Sequence, residues 1–372
     1  MGRSFHCQAA LIGSLLPALI SVPAHSGGFE SELSGYLAAG ADHYGAFYDE
    51  DGEESTTEAV IRNAKLQLEM AWGDHWEAEL DGAYEFRRGD YEVEPGDLYL
   101  QYSRGAGVLR MGQFKEPFGL ERLSGYTSLN TSERSVVTSS FAPGRNTGVL
   151  LGYQRKRSTA VLGVFTDRPE GGEMKAITGR ATHAPVYGDC QVLHLGLAAS
   201  YRDLAGERFQ IKDEGEVFSA DNVIRSPRFD GRDTALAGVE LGWTSGRFTL
   251  SSEAVVQNVW QQNGDHWRFS GAYLSAGWFL TDDRREYERG EFDRVEPSGP
   301  GGAVELVTRF SHVDLRDRQL GAEASVALLG IHYWYGEHVQ LRFNYLWPDI
   351  EGNALMAEPD GQAMTARLVL MF

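Results

Sequence analysis

Between residues 115 and 146 the sequence gathers groups that can replace the water around an anion. Lys115, Arg122, Arg134 and Arg145 supply four cations, against the carboxylates Glu116, Glu121 and Glu133. That leaves this stretch about one charge positive in a chain whose formal net charge is −19. Hydroxyls surround them at Ser124, Thr127, Ser128, Thr131, Ser132, Ser135, Thr138, Ser139 and Ser140. An oxyanion leaving water needs such replacement donors. Arginine offers a flat fork to it, and lysine a point charge.

Further cations, Arg62, Lys65, Arg110, Arg309, Arg342 and Arg367, fall on the polar sides of alternating segments. Rings of Arg or Lys are one route to anion selectivity in a pore. The opposing reading pairs these cations with nearby Asp and Glu. The acidic side of 75–87 would then favour a general or cation-preferring pore.

Catalytic spacings are missing. The sequence has no G-x-S-x-G, H-E-x-x-H, P-loop or C-x-x-C pattern. Its ten His residues are scattered. No catalytic residue, metal or cofactor is therefore expected, although two of the many carboxylates could form a glycosidase pair. A membrane-barrel enzyme or an adhesin is the alternative from another class. The acidic balance excludes a nucleic-acid partner, which would need a basic footprint.

What must position these groups is read from alternation. Trp76, Ala78, Leu80, Gly82, Tyr84 and Phe86 alternate with Glu77, Glu79, Asp81, Ala83 and Glu85. Upstream, Ala64, Leu66, Leu68, Met70 and Trp72 form an apolar side, and Gly73-Asp74 signals a tight turn. Val339 to Trp347, Val304 to Phe310, and Met364 to Phe372 repeat the pattern. These runs suit strands that cross a bilayer at a tilt, and aromatics stand near their ends.

Strands are expected near 32–48, 60–72, 75–87, 96–103, 108–114, 147–155, 159–165, 177–185, 192–202, 234–243, 247–259, 267–279, 302–313, 323–333, 338–347 and 362–372. The expected fold is all-β: a transmembrane antiparallel barrel of about sixteen strands, closed so that no edge faces lipid. Three polar stretches, 115–146, 203–232 and 281–301, interrupt it as long loops that can fold inward.

The N-terminus reads as a signal peptide over 1–26. Arg3 precedes an apolar run from Ala9 to Ile20, with cleavage near 24–26. The barrel then occupies 27–372. Cys190 is the one mature cysteine, so no internal disulfide is expected. Terminal Phe372 resembles the signal that outer-membrane insertion machinery reads.

Gly112-Gln113-Phe114-Lys115-Glu116-Pro117-Phe118-Gly119-Leu120-Glu121 resembles the phosphate-selective porin O and P family. Glu133-Arg134-Ser135 and Phe141-Ala142-Pro143-Gly144-Arg145-Asn146-Thr147-Gly148 extend the likeness. So do Thr178-Gly179-Arg180, Arg342-Phe343-Asn344-Tyr345 and the run Val304 to Ser311. The resemblance implies a sixteen-stranded homotrimeric porin in a bacterial outer membrane, in contact with its lipids, with the third loop (about 115–146) folded inside. It implies passive passage of small anions such as phosphate or polyphosphate. Lys115, Arg134 and Arg145 fall on the matching loop, as candidate anion contacts. The acidic balance departs from a strongly phosphate-selective pattern.

Overall fold

A computed structural model describes residues 28–48, 55–166, 175–318, 320–352 and 361–372. The leader expected over 1–26 lies outside the described residues. Among the described residues, sixteen long strands form one closed antiparallel sheet. They are β1 Phe29–Gly45, β2 Ser55–Trp72, β3 Trp76–Arg87, β4 Asp90–Arg104, β5 Gly107–Lys115, β6 Arg145–Arg155, β7 Ser158–Thr166 and β8 Lys175–Gly188. Then follow β9 Gln191–Asp203, β10 Phe229–Ser245, β11 Phe248–Gln261, β12 His266–Phe279, β13 Ala303–Asp314, β14 Glu323–Tyr335, β15 Val339–Glu351 and β16 Ala363–Met371. Each pairs with the next, and β16 returns to β1 in register Tyr36↔Met371 to Tyr44↔Ala363. No strand edge is left to face hydrocarbon.

Period-2 alternation decides which side chains meet lipid. Leu66, Leu80, Leu98, Val149, Leu151, Leu162, Leu197, Leu274, Leu329 and Leu368 are among the exposed apolar residues of the outer face. In water such a surface would associate; in hydrocarbon it is the contact with solvent. Aromatics band both ends. Trp72 stacks on Trp76 at 6.1 Å, and Phe248 on Trp278 at 5.9 Å. Tyr345 and Trp347 meet at 4.4 Å toward the other end.

The largest departure from the expected boundaries is in β4. The segment expected at 96–103 begins at Asp90, because β3 and β4 continue across Pro95. The register shifts between Leu80 and Gly82, where Pro95 faces Gly82. A bulge of this kind accommodates a proline that lacks a ladder donor. Arg88 and Gly89, both at positive φ, turn the hairpin in two residues.

The connections divide by end. Residues 73–75, 105–106, 156–157, 189–190, 246–247 and 336–338 are short turns at one end. The long segments 116–144 and 204–228 belong to the other, which is the extracellular pattern of bacterial barrels. The exception is 280–302, a long connection at the short-turn end. Its Tyr287 hydroxyl lies 2.7 Å from His194 Nδ1, and Gly290 O accepts from Arg180 at 2.8 Å.

The apolar core therefore lies inside the barrel, between wall and loops. Tyr44, Tyr48, Phe118, Val136, Phe141, Val217, Ile224, Phe269, Val313 and Leu346 belong to one buried cluster. Each such side chain contributes roughly 1.5–3 kcal/mol on burial.

Candidate functional site

Segment 116–144 crosses the lumen. It hydrogen-bonds to inward side chains on β2, β11, β13, β15 and β16, far around the wall from its own strands β5 and β6. Two short helices, Leu120–Leu123 and Val136–Phe141, organise it. Ser135 caps the second: its hydroxyl accepts from Thr138 N at 3.2 Å. Glu253 accepts from Leu120 N and Glu121 N, both at 2.8 Å.

The predicted basic residues separate into two groups. Arg309 donates to Glu121 Oε1 at 3.0 Å and to Thr131 Oγ1 at 2.9 Å, and it pairs with Glu216 at 2.5 Å. Arg342 donates to Thr131 O, Tyr126 O and Gln340 Oε1. Both are 2% exposed. Arg110 lies 4.0 Å over the Tyr99 ring and donates to Gln101. Arg309 and Arg342 are therefore anchors of the loop rather than open pore lining, while Arg110 stays half-buried on the wall. Arg367, paired with Asp42 at 2.6 Å and fully buried, fastens β16 to β1.

The others converge. Arg62, Lys65, Lys115, Arg122, Arg134 and Arg145 all line one cavity of about 330 Å³, together with Tyr36, Tyr126 and Phe372. Within it, Arg62 is held by Glu85 at 2.6 Å and Glu133 at 2.7 Å. Lys65 faces Asp81 at 2.7 Å. Arg145 grips Asp97 with two bonds of 3.0 Å.

Lys115, Arg122 and Arg134 differ. Among the described residues none of the three has an ion pair. Lys115 Nζ donates to Leu123 O at 3.1 Å and Ser124 O at 3.4 Å. Arg122 donates to Thr138 O and Ala142 O, both at 3.1 Å. Arg134 donates to Glu121 O at 3.1 Å and Ser124 O at 2.9 Å. Carbonyl dipoles hold these groups in place, and they leave the guanidinium charges of Arg122 and Arg134 uncancelled. Burial, followed by repulsion from Arg134, lowers the Arg122 guanidinium to about 10. Burial lowers Arg134 as well. A base is protonated below its pKa, so Arg122 remains cationic at neutral pH. Arg122 Nε is also buried without a hydrogen-bond partner.

Alternation could place the basic residues of the strands on the inner side, and the family resemblance those of the loop. Neither could separate anchors from free cations, because that depends on partners far away in sequence. Glu92 and Glu94, which also reach the lumen, were missed because Pro95 hid the start of β4.

The model of the phosphate-selective porin O and P family matches residues 38–372. Porin O of Pseudomonas aeruginosa is 22% identical over 393 aligned positions, covering 92% of this chain and 89% of that protein. An uncharacterized protein of Caulobacter vibrioides is 29% identical over 292 positions, 72% of this chain. The aligned part spans only 59% of that longer relative. The anion-selective porin of Comamonas acidovorans has the same fold, with TM-score 0.55 and 13% identity over 92% of this chain and 100% of that one. OmpT of Vibrio cholerae superposes with TM-score 0.58 at 8% identity, covering 94% and 99%. Fold and family are those of a channel rather than an enzyme. The chain belongs to the phosphate-selective porin O and P family and is an outer-membrane porin.

Proposed function

We propose that this porin passes small anions, with phosphate-like oxyanions as favoured cargo, and works as a homotrimer. One observation carries the anion preference: Lys115, Arg122 and Arg134 line the cavity and, among the described residues, bond only to main-chain carbonyls. An entering oxyanion gains the guanidinium charges of Arg122 and Arg134 and a donor from Lys115 Nζ. The match to the phosphate-selective porin family supports the same direction. A trimer form of the Vibrio OmpT on the same fold supports the assembly. The leader over 1–26 would deliver the chain to the periplasm, and Phe372 would present it for insertion.

The test is a reversal potential in a salt gradient across a planar bilayer. Each charge acts through partly screened water and contributes on the order of 1 kcal/mol, several-fold in relative permeability. Replacing Lys115, Arg122 and Arg134 together with Ala should move the reversal potential toward cations and weaken block of chloride current by phosphate. A triple variant with wild-type selectivity at low salt would replace this reading with a general or cation-preferring porin.

A further inference from the structure

Resting on that anion reading, we propose a narrower cargo: small zwitterionic oxyanions, which carry an ammonium group beside a phosphonate, phosphate or carboxylate. The basis is a second cavity of about 230 Å³ that shares Arg62, Glu85, Glu94, Arg122 and Arg134 with the first. One side of it is the constricting loop with segment 204–228, and the other is the inner face of β2, β3 and β4.

Most carboxylates lining this second cavity are already engaged. Glu85 and Glu133 hold Arg62; Glu214 holds Arg87 at 3.0 Å; Glu216 holds Arg309. Asp213 accepts from Gly215 N at 2.7 Å, and burial pushes its carboxyl up. Glu92 and Glu94 remain, without an ion pair among the described residues. They point inward on β4, in alternation with Tyr91 and Val93, which are 74% and 70% exposed on the outer face.

The passage therefore sets two free carboxylates and two free guanidinium groups around one void. A chain of phosphates meets attraction from Arg122 and Arg134 and repulsion from Glu92 and Glu94. A solute with both charges, of amino-acid size, satisfies both walls in one orientation. Among the described residues those charges have no ion partner, so a zwitterion does not have to break a salt bridge seen there to bind. Like-charge apposition is also an effective means of rejecting the wrong solute.

The experiment uses the full porin in planar bilayers and reads block of chloride current. The probes are 2-aminoethylphosphonate, ethylphosphonate, inorganic phosphate and pyrophosphate. The first two differ by the amine. The expected result is half-block by 2-aminoethylphosphonate at roughly fivefold lower concentration than ethylphosphonate, about 1 kcal/mol through a screened lumen. In the double variant Glu92→Gln, Glu94→Gln that advantage should vanish, while block by phosphate and pyrophosphate strengthens. Both side chains are exposed to the lumen, and the exchange keeps their size. Equal block by the two phosphonates, or an advantage that survives in the double variant, overturns the proposal while the anion reading stands. A wild-type reversal potential that reports cation preference, with no block by any probe, overturns both.

Discussion

Two regions of this lumen use the same residue type for opposite ends. On the β13–β16 side, Arg309 and Arg367 are each buried against carboxylates, Glu121 and Glu216 for the first, Asp42 and Glu133 for the second. On the side facing β2 to β5, Lys115, Arg122 and Arg134 meet carbonyl oxygens. A carboxylate partner turns an arginine into a fastener with little field beyond itself. A carbonyl partner at a cavity wall fixes its position and leaves its charge to act on whatever passes, whereas Arg342, also held by carbonyls, is too buried to do so. The number of basic residues in a pore says little about selectivity until partners are known.

The largest expected effect breaks the fastened side. Arg309→Ala leaves Glu121 and Glu216 buried beside an empty site, and breaking a buried pair costs about 3–5 kcal/mol. The temperature at which the folded band disappears in detergent gels should fall. Single-channel conductance should rise as segment 116–144 loosens, while the reversal potential keeps its sign. Unchanged conductance and gel stability would erase the distinction between the two regions.

An apolar residue of the same cavity is the control for charge. Phe372 is 47% exposed, and its backbone exchanges two 3.1 Å hydrogen bonds with Gly35. Gly35 has no room for a side chain: a Cβ there would stand 2.8 Å from the Phe372 ring and 2.4 Å from Lys65 O. Partial burial limits the packing loss in Phe372→Ala to about 1 kcal/mol. The yield of inserted protein should fall, while channels that do insert keep their ion preference. Normal insertion of the variant would remove Phe372 from assembly.

The smallest effect sharpens the free side. With Arg122 lowered to about 10 by burial, its charge is present throughout the neutral range and is lost as pH rises through that value. Anion preference attributable to Arg122 should thus be flat between about pH 6 and 8 and decline toward pH 10. Arg122→Ala should remove that part of the alkaline decline. A decline of the same size in the variant would assign it to other groups.

All sixteen strands were legible because each faces hydrocarbon on one side and polar groups on the other, which writes a strict period of two. Leu66, Leu80 and Leu368 needed no knowledge of their neighbours to be placed. Arg309 and Arg342 did, since their partners at 121, 126, 131 and 216 lie far away in the chain. Segment 280–302 broke the alternation visibly, but its entry from the short-turn end was not legible. Turn length, rather than composition, defines that end.

That segment also bears on how the molecule is assembled. Arg285 reaches Ser128 O on the constricting loop at 2.6 Å while pairing with Glu305 at 2.8 Å. Two connections that leave the wall at opposite rims thus meet in the middle. The barrel closes through pairing of the first strand with the last, the most non-local contact in the chain. Bringing such distant ends together carries a large chain-entropy cost and makes closure slow. Once that seam has zipped, two narrow mouths are the remaining ways in. The lumen should therefore be furnished before it is sealed, with both segments settled against an open, curling sheet and enclosed by the final strand pair.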